Sequence, residues 1–86
     1  MGVPMEFWLL DDQGDDQRIP VTLLLPKLLV ASGEWLCGQS WAIGYGASPW
    51  SAFRNCVKRM VYLAHMWRTD YGESWRTIWH RLRMTE

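Results

Sequence analysis

Cys37, Cys56, His65 and His80 are the side chains with the widest chemical reach in this chain, because two thiolates and two imidazoles can hold a zinc ion tetrahedrally. Their spacing argues against that use. Zinc modules bring their ligands in close pairs, and no two of these four are near neighbours. A helix through this region places Cys56 on its buried stripe and His65 on the opposite face, so they cannot share an ion. Asp11, Asp12, Asp15 and Asp16 surround Gly14 but lack the alternating acids, central glycine and final glutamate of a calcium loop. Nucleophilic catalysis has no better footing: there is no Gly-x-Ser-x-Gly elbow, and neither cysteine sits in an activating motif. Gly44-Tyr45-Gly46 is followed by Ser48-Pro49 rather than a phosphate cradle, and reads as a tight strand-to-helix turn. The expectation is a protein that is not an enzyme and uses no metal or cofactor.

Surfaces are the alternative to reactive groups. Seven tryptophans in 86 residues exceed what one small core encloses, since each carries a large ring and a donor that needs a partner. The net charge is zero, but residues 1–50 hold six acids against Arg18 and Lys27, or −4, while residues 51–86 hold seven cations against three acids, or +4. The mean hides a charge dipole along the sequence, which can steer a partner or be neutralised within the fold.

The elements that must position these groups follow from periodicity and turn chemistry. Met5–Leu10 reads as a strand, the Asp-rich segment around Gly14 as a solvated loop, and Arg18–Leu25 as the antiparallel partner strand. Residues 26–32 are compatible with a strand or with one to two turns of helix, the strand being favoured. From Glu34 to Tyr45, Trp35, Cys37, Gln39, Trp41, Ile43 and Tyr45 alternate with Leu36, Gly38, Ser40, Ala42 and Gly44. That pattern reads as one strand with an aromatic face and a small face. Ser48 is a good N-cap and Pro49 fits the first helical position. The helix runs to about Arg68, with Ala52, Phe53, Cys56, Val57, Met60, Leu63, Ala64 and Trp67 as its buried stripe. Asp70-Tyr71-Gly72-Glu73 has capping-box spacing and opens a second helix with Trp75, Ile78, Trp79 and Leu82 inward. The predicted fold is a single α+β domain over residues 1–86, a small antiparallel β-sheet of three to four strands followed by two C-terminal α-helices packed on one face.

The junction Gly46, Ser48, Pro49, Ala52, Asn55 is similar to the strand-turn-helix junction of HicB-like antitoxins, although Trp50 and Ser51 replace that family's acidic pair. Gly44, Gly46, Ser48, Ala52 and Cys56 also resemble the last helix of double-stranded-RNA-binding domains. Here Pro49, Trp50 and Phe53 stand where that family's lysines grip phosphate. Each likeness covers about a seventh of the chain, and what the two share is turn physics: a capped helix whose small residues pack on a sheet.

No basic and apolar leader opens the chain, and the apolar stretch Ile19–Ala31, interrupted by Pro20, Pro26 and Lys27, is short of the roughly 20 residues that span a bilayer. A cytoplasmic protein with free thiols and no membrane partner is expected. Seven arginines against two lysines, with a single asparagine, suggest a GC-rich bacterial or phage genome. Tryptophan and arginine are the residues enriched at binding hot spots. The expected function is therefore a small non-enzymatic protein-binding module, for example a phage or mobile-element inhibitor that blocks a host nucleic-acid-processing complex such as a defence nuclease. Its candidate partner-binding residues are Arg54, Lys58, Arg59, Tyr62, His65, Arg76, His80 and Arg83 on a basic helical face, and Trp8, Trp41, Asp11, Asp12, Asp15 and Asp16 on aromatic and acidic surfaces. The alternative is a nucleic-acid binder using the basic face, and a homodimer is compatible with either.

Overall fold

The computed structural model describes residues 2–11, 14–39 and 42–82. Strand β1 (Gly2–Leu9) pairs antiparallel with β2 (Gln17–Leu24), Leu9 lying opposite Gln17 and Gly2 opposite Leu24. The period of two sends Met5, Phe7 and Leu9 to the core and Glu6 and Trp8 outward, with Leu10 exposed just beyond the strand. Opposite Trp8, the Arg18 guanidinium lies 5.2 Å from the indole and 3.7 Å from the Glu6 carboxylate. The hairpin is the one the sequence implies.

A second antiparallel sheet has the order β3 (Lys27–Leu29), β4 (Glu34–Gln39), β5 (Ala42–Gly46). The segment after Pro26 is thus a strand, and Gly33 at φ +73° turns it into β4. The fold is α+β with both helices packed on strands. The five strands divide into two sheets, where the sequence suggested three or four in one. Leu25-Pro26 separates β2 from β3, and a proline has no N–H to continue a ladder.

The strand expected over 34–45 is instead a hairpin. Cys37 faces Gly44, Trp35 faces Gly46, and Gln39 faces Ala42. Directly opposed residues share a sheet face, so the reversal joins odd positions of β4 to even positions of β5. Trp35 and Cys37 therefore share a face with Ala42, Gly44 and Gly46, while Leu36, Ile43 and Tyr45 lie on the other. The aromatic and small sets are not the two faces of one strand.

That small strip positions helix α1 (Pro49–Thr69). A methyl group on Gly44 would overlap the Cys56 amide nitrogen and the Ala52 carbonyl, and one on Gly46 would overlap the Ser51 hydroxyl. The helix backbone rests directly on β5, with its own small residues Ala52 and Cys56 fully buried at the contact. Ser48 caps the helix: its Oγ accepts from the Ser51 N–H at 3.2 Å, and the Ser51 Oγ accepts from the Ser48 N–H at 3.1 Å. Further along, Met60 and Val61 meet Phe7 and Leu9 of β1 and Leu82 of the last helix. At about 1.5 Å per residue, α1 is a beam of roughly 31 Å in a molecule 43 × 22 × 17 Å, and it spans both sheets.

Helix α2 (Trp75–Leu82) starts later than the sequence implied. Asp70 closes α1 by donating its N–H to the Met66 carbonyl, Gly72 takes φ +63°, and Ser74 caps α2 by accepting from the Thr77 N–H at 3.3 Å. Asp70-x-x-Glu73 does not act as a capping box because Ser74 offers the same oxygen one turn closer to the apolar run. The inward stripe is Trp75, Ile78 and Leu82, with Trp79 exposed.

The buried stripe of α1 fixes the expected cost of substitutions. Met60→Ala should lose about 2–5 kcal/mol through a cavity, while Lys58→Ala should change stability by less than about 0.5 kcal/mol, as measured by chemical denaturation. The reverse order would mean that the helix is rotated.

Candidate functional site

Among the described residues, one set of acids and cations is paired within the chain and another set of cations is presented outward. The internal group centres on Asp11. Its side chain is only 2% exposed, and Oδ2 accepts from Arg68 Nε at 2.9 Å and from Trp75 Nε1 at 3.1 Å. Trp75 Nε1 also donates to the Asp15 carbonyl at 3.1 Å, and Arg68 donates to the Glu73 carbonyl at 3.1 Å while its guanidinium lies 5.4 Å from the Trp75 ring. Asp16 accepts from the Asp11 N–H at 3.0 Å, and Asp15 from the Gln17 amide at 2.9 Å. Arg81 pairs with Glu73 at 2.9 Å and covers the Trp67 ring. Asp11 therefore leaves the solvated loop expected of it and joins the β1–β2 connection to both helices. Asp15 and Asp16 stay exposed.

The presented group lies on the outer side of α1. Arg54, Lys58, Arg59 and Tyr62 are exposed, His65 is half-buried, and no ion pair between described residues engages Arg54, Lys58 or Arg59. Lys58, Arg59 and Tyr62 line a shallow groove of about 540 Å³ with Asn55 and with Ile43, Gly44 and Tyr45 of β5. Asn55 donates its side-chain amide to the Tyr45 carbonyl at 2.6 Å, and Arg59 lies 5.7 Å from the Tyr62 ring. Arg76 and His80 are exposed on α2 but line a different depression of about 220 Å³ with Pro20 and Trp79. Of the cationic residues grouped by the sequence, Lys58 and Arg59 thus border one concavity and Arg76 and His80 another. Trp8 is exposed on the β1–β2 ribbon beneath Arg18. Asp12, Trp41 and Arg83 lie outside the described residues.

Ile43, Gly44, Tyr45 and Asn55 are the groove residues that sequence reasoning did not select. Reading 34–45 as one strand concealed that β5 is a sheet edge beside α1. The mark of the reversal in the sequence is Gly38, which takes φ +89° just before the end of β4.

Cys37 and Cys56 are buried at the seam between sheet and helix, where their thiols donate to the Leu24 and Ala42 carbonyls at 3.4 and 3.5 Å. Burial raises the Cys37 pKa. Burial, followed by the neighbouring Cys37, pushes Cys56 up to about 12. Both stay protonated at neutral pH, which removes the thiolate that nucleophilic chemistry requires. Among the described residues no three His, Cys, Asp or Glu side chains are grouped to hold a metal ion, and no helix is long and apolar enough to cross a membrane.

No protein-family model matches the chain, and no curated protein or solved structure matches it.

Two outcomes follow from this geometry. Asp11→Ala leaves the Arg68 guanidinium and the Trp75 N–H without their acceptor, and should cost about 3–5 kcal/mol in urea denaturation, against less than about 1 kcal/mol for Asp16→Ala. The Cys56 thiol holds its proton to about pH 12 in the folded protein but only to 9.0 in an open chain, so above pH 9.0 the unfolded state binds fewer protons. The Cys56 contribution to stability should be constant below that value and be lost as pH rises toward about 12, so that stability falls over this range less steeply in Cys56→Ala, as read from denaturation midpoints.

Proposed function

We propose that this chain is a small non-enzymatic binding protein that acts by occupying an acidic surface of another protein and blocking access to it, with the outward face of α1 as its docking element. The observation that carries the reading is the unequal use of charge. Arg18, Arg68 and Arg81 are paired with Glu6, Asp11, Asp15 and Glu73 of the same chain, whereas Arg54, Lys58 and Arg59 stand exposed on α1, and Lys58 and Arg59 line an open groove. Exposed cations flanked by Tyr45 and Tyr62 combine long-range attraction with amphipathic contact area, the combination found at protein hot spots.

A nucleic acid is a poorer fit to the same face. A duplex laid along α1 past Lys58 meets the exposed Asp15, Asp16 and Asp70 near the other end of the helix. Asp70 is twelve residues, or roughly 18 Å, past Lys58. Phosphates would be repelled there, while a compact acidic patch of about the groove's length would not reach it.

The test is capture of partners from bacterial lysate on the immobilised chain, with and without nuclease. The protein-binding reading expects nuclease-resistant capture that is lost in the Arg54→Glu, Lys58→Glu, Arg59→Glu variant, with its fold intact by circular dichroism. Capture that disappears with nuclease, together with salt-sensitive binding of purified chain to nucleic acid, would replace it with the nucleic-acid reading.

A further inference from the structure

The strand edges of this molecule are not alike. The β1–β2 ribbon carries Pro4 in β1 and Pro20 in β2, and β3 is three residues long, follows Pro26 and begins with Lys27. Proline, lysine and short length are the features that keep a sheet edge from recruiting another strand. β5, Ala42-Ile43-Gly44-Tyr45-Gly46, is also an edge strand and has no proline and no charged side chain. Its backbone direction is fixed by one bond: the Tyr45 carbonyl accepts from Asn55, so it points away from β4. In an antiparallel strand the N–H and C=O of one residue point to the same side, and residues two apart repeat that direction. The Ile43 N–H and C=O and the Tyr45 N–H therefore lie on the open edge, along the groove whose other wall is Asn55, Lys58, Arg59 and Tyr62.

We infer that β5 accepts an extended, acidic segment of a partner protein as an added antiparallel or parallel strand, with alternate side chains directed at Lys58 and Arg59. This rests on the protein-binding reading above and specifies how the partner is held. Charge selects the occupant. The groove lining contains two cations and no carboxylate, so a segment with acids on one side is attracted. A second copy pairing β5 to β5 about a twofold axis would set its own Lys58 and Arg59 near their counterparts, a like-charge juxtaposition that disfavours self-pairing. The two faces of an added strand meet different surroundings. Toward α1 stand Lys58, Arg59 and Tyr62, while the opposite face continues Leu36, Ile43 and Tyr45 of the sheet. The segment that fits alternates acidic and β-branched apolar residues. Backbone bonds supply affinity and the alternate side chains supply specificity.

The experiment uses the full chain, labelled with nitrogen-15, and an acetylated, amidated peptide Glu-Val-Glu-Val-Glu-Val-Glu followed by NMR titration. Two further peptides carry N-methyl groups, one on the glutamates and one on the valines, so that the protein itself is unaltered. Strand addition predicts shifts centred on Ile43 and Tyr45, affinity lowered roughly tenfold or more by one methylation pattern and not by the other, and no binding of a peptide with lysine in place of glutamate. Lys58→Glu with Arg59→Glu should also abolish binding. Equal affinity for both methylated peptides would overturn strand addition while leaving the basic docking face in place. Absence of shifts at Ile43 and Tyr45 up to saturating peptide would overturn it as well. So would a dimer of the free chain in light scattering whose Ile43 and Tyr45 amides are protected from hydrogen exchange, since the edge would then be occupied by a second copy. Loss of partner capture from lysate tests the broader reading separately.

Discussion

A single buried carboxylate, Asp11, organises the far end of this molecule. It has left water, and Arg68 and Trp75 both donate to it there. Through those bonds the connection between the first two strands is held to the last turn of α1 and the first turn of α2, and Arg68 fixes the backbone between the helices at the Glu73 carbonyl. The same bonds decide which charges remain outside. With Asp11, Asp15 and Glu73 turned toward Arg68 and Arg81, no ion pair among the described residues engages the cations further up α1, and a chain of zero net charge presents a basic face.

The other end depends on size rather than charge. Ala42, Gly44 and Gly46 let α1 lie with its backbone against β5, and Ala52 and Cys56 supply a matching surface. Such close contact leaves no room for large side chains at the seam. The bulky residues are therefore displaced outward, with Tyr45, Trp50 and Tyr62 exposed along this end. The thin layer also keeps the Cys37 and Cys56 thiols buried and protonated. A narrow helix-on-strand contact of this kind leaves the β5 edge beside the helix's outer face, which is why the open backbone groups and the exposed cations share one groove.

Much of the scaffold was legible because its causes are local. The stripe from Ala52 to Trp67 repeats with the helical period, Ser48-Pro49 is a helix start that any chain would use, and the Asp-rich turn around Gly14 implies a hairpin. What was not legible depended on contacts distant in sequence or on ambiguous local signals. Four similar aspartates give no indication that Asp11 is drawn inward, because the arginine that draws it is 57 residues away. Alternation continues unbroken across the reversal between β4 and β5, so periodicity alone cannot separate one strand from two. Asp70 and Ser74 are both acceptable caps, and the choice between them follows from where α1 ends.

The cations of this chain are partitioned, with Arg68 committed to the fold and Arg54 and Arg59 exposed on α1. Phenylglyoxal modification of the native protein, with the labelled arginines identified by peptide mass mapping over time, measures that partition directly. The account predicts early labelling of Arg54 and Arg59 and protection of Arg68 until the protein unfolds. Labelling of Arg68 as fast as Arg59 would contradict it.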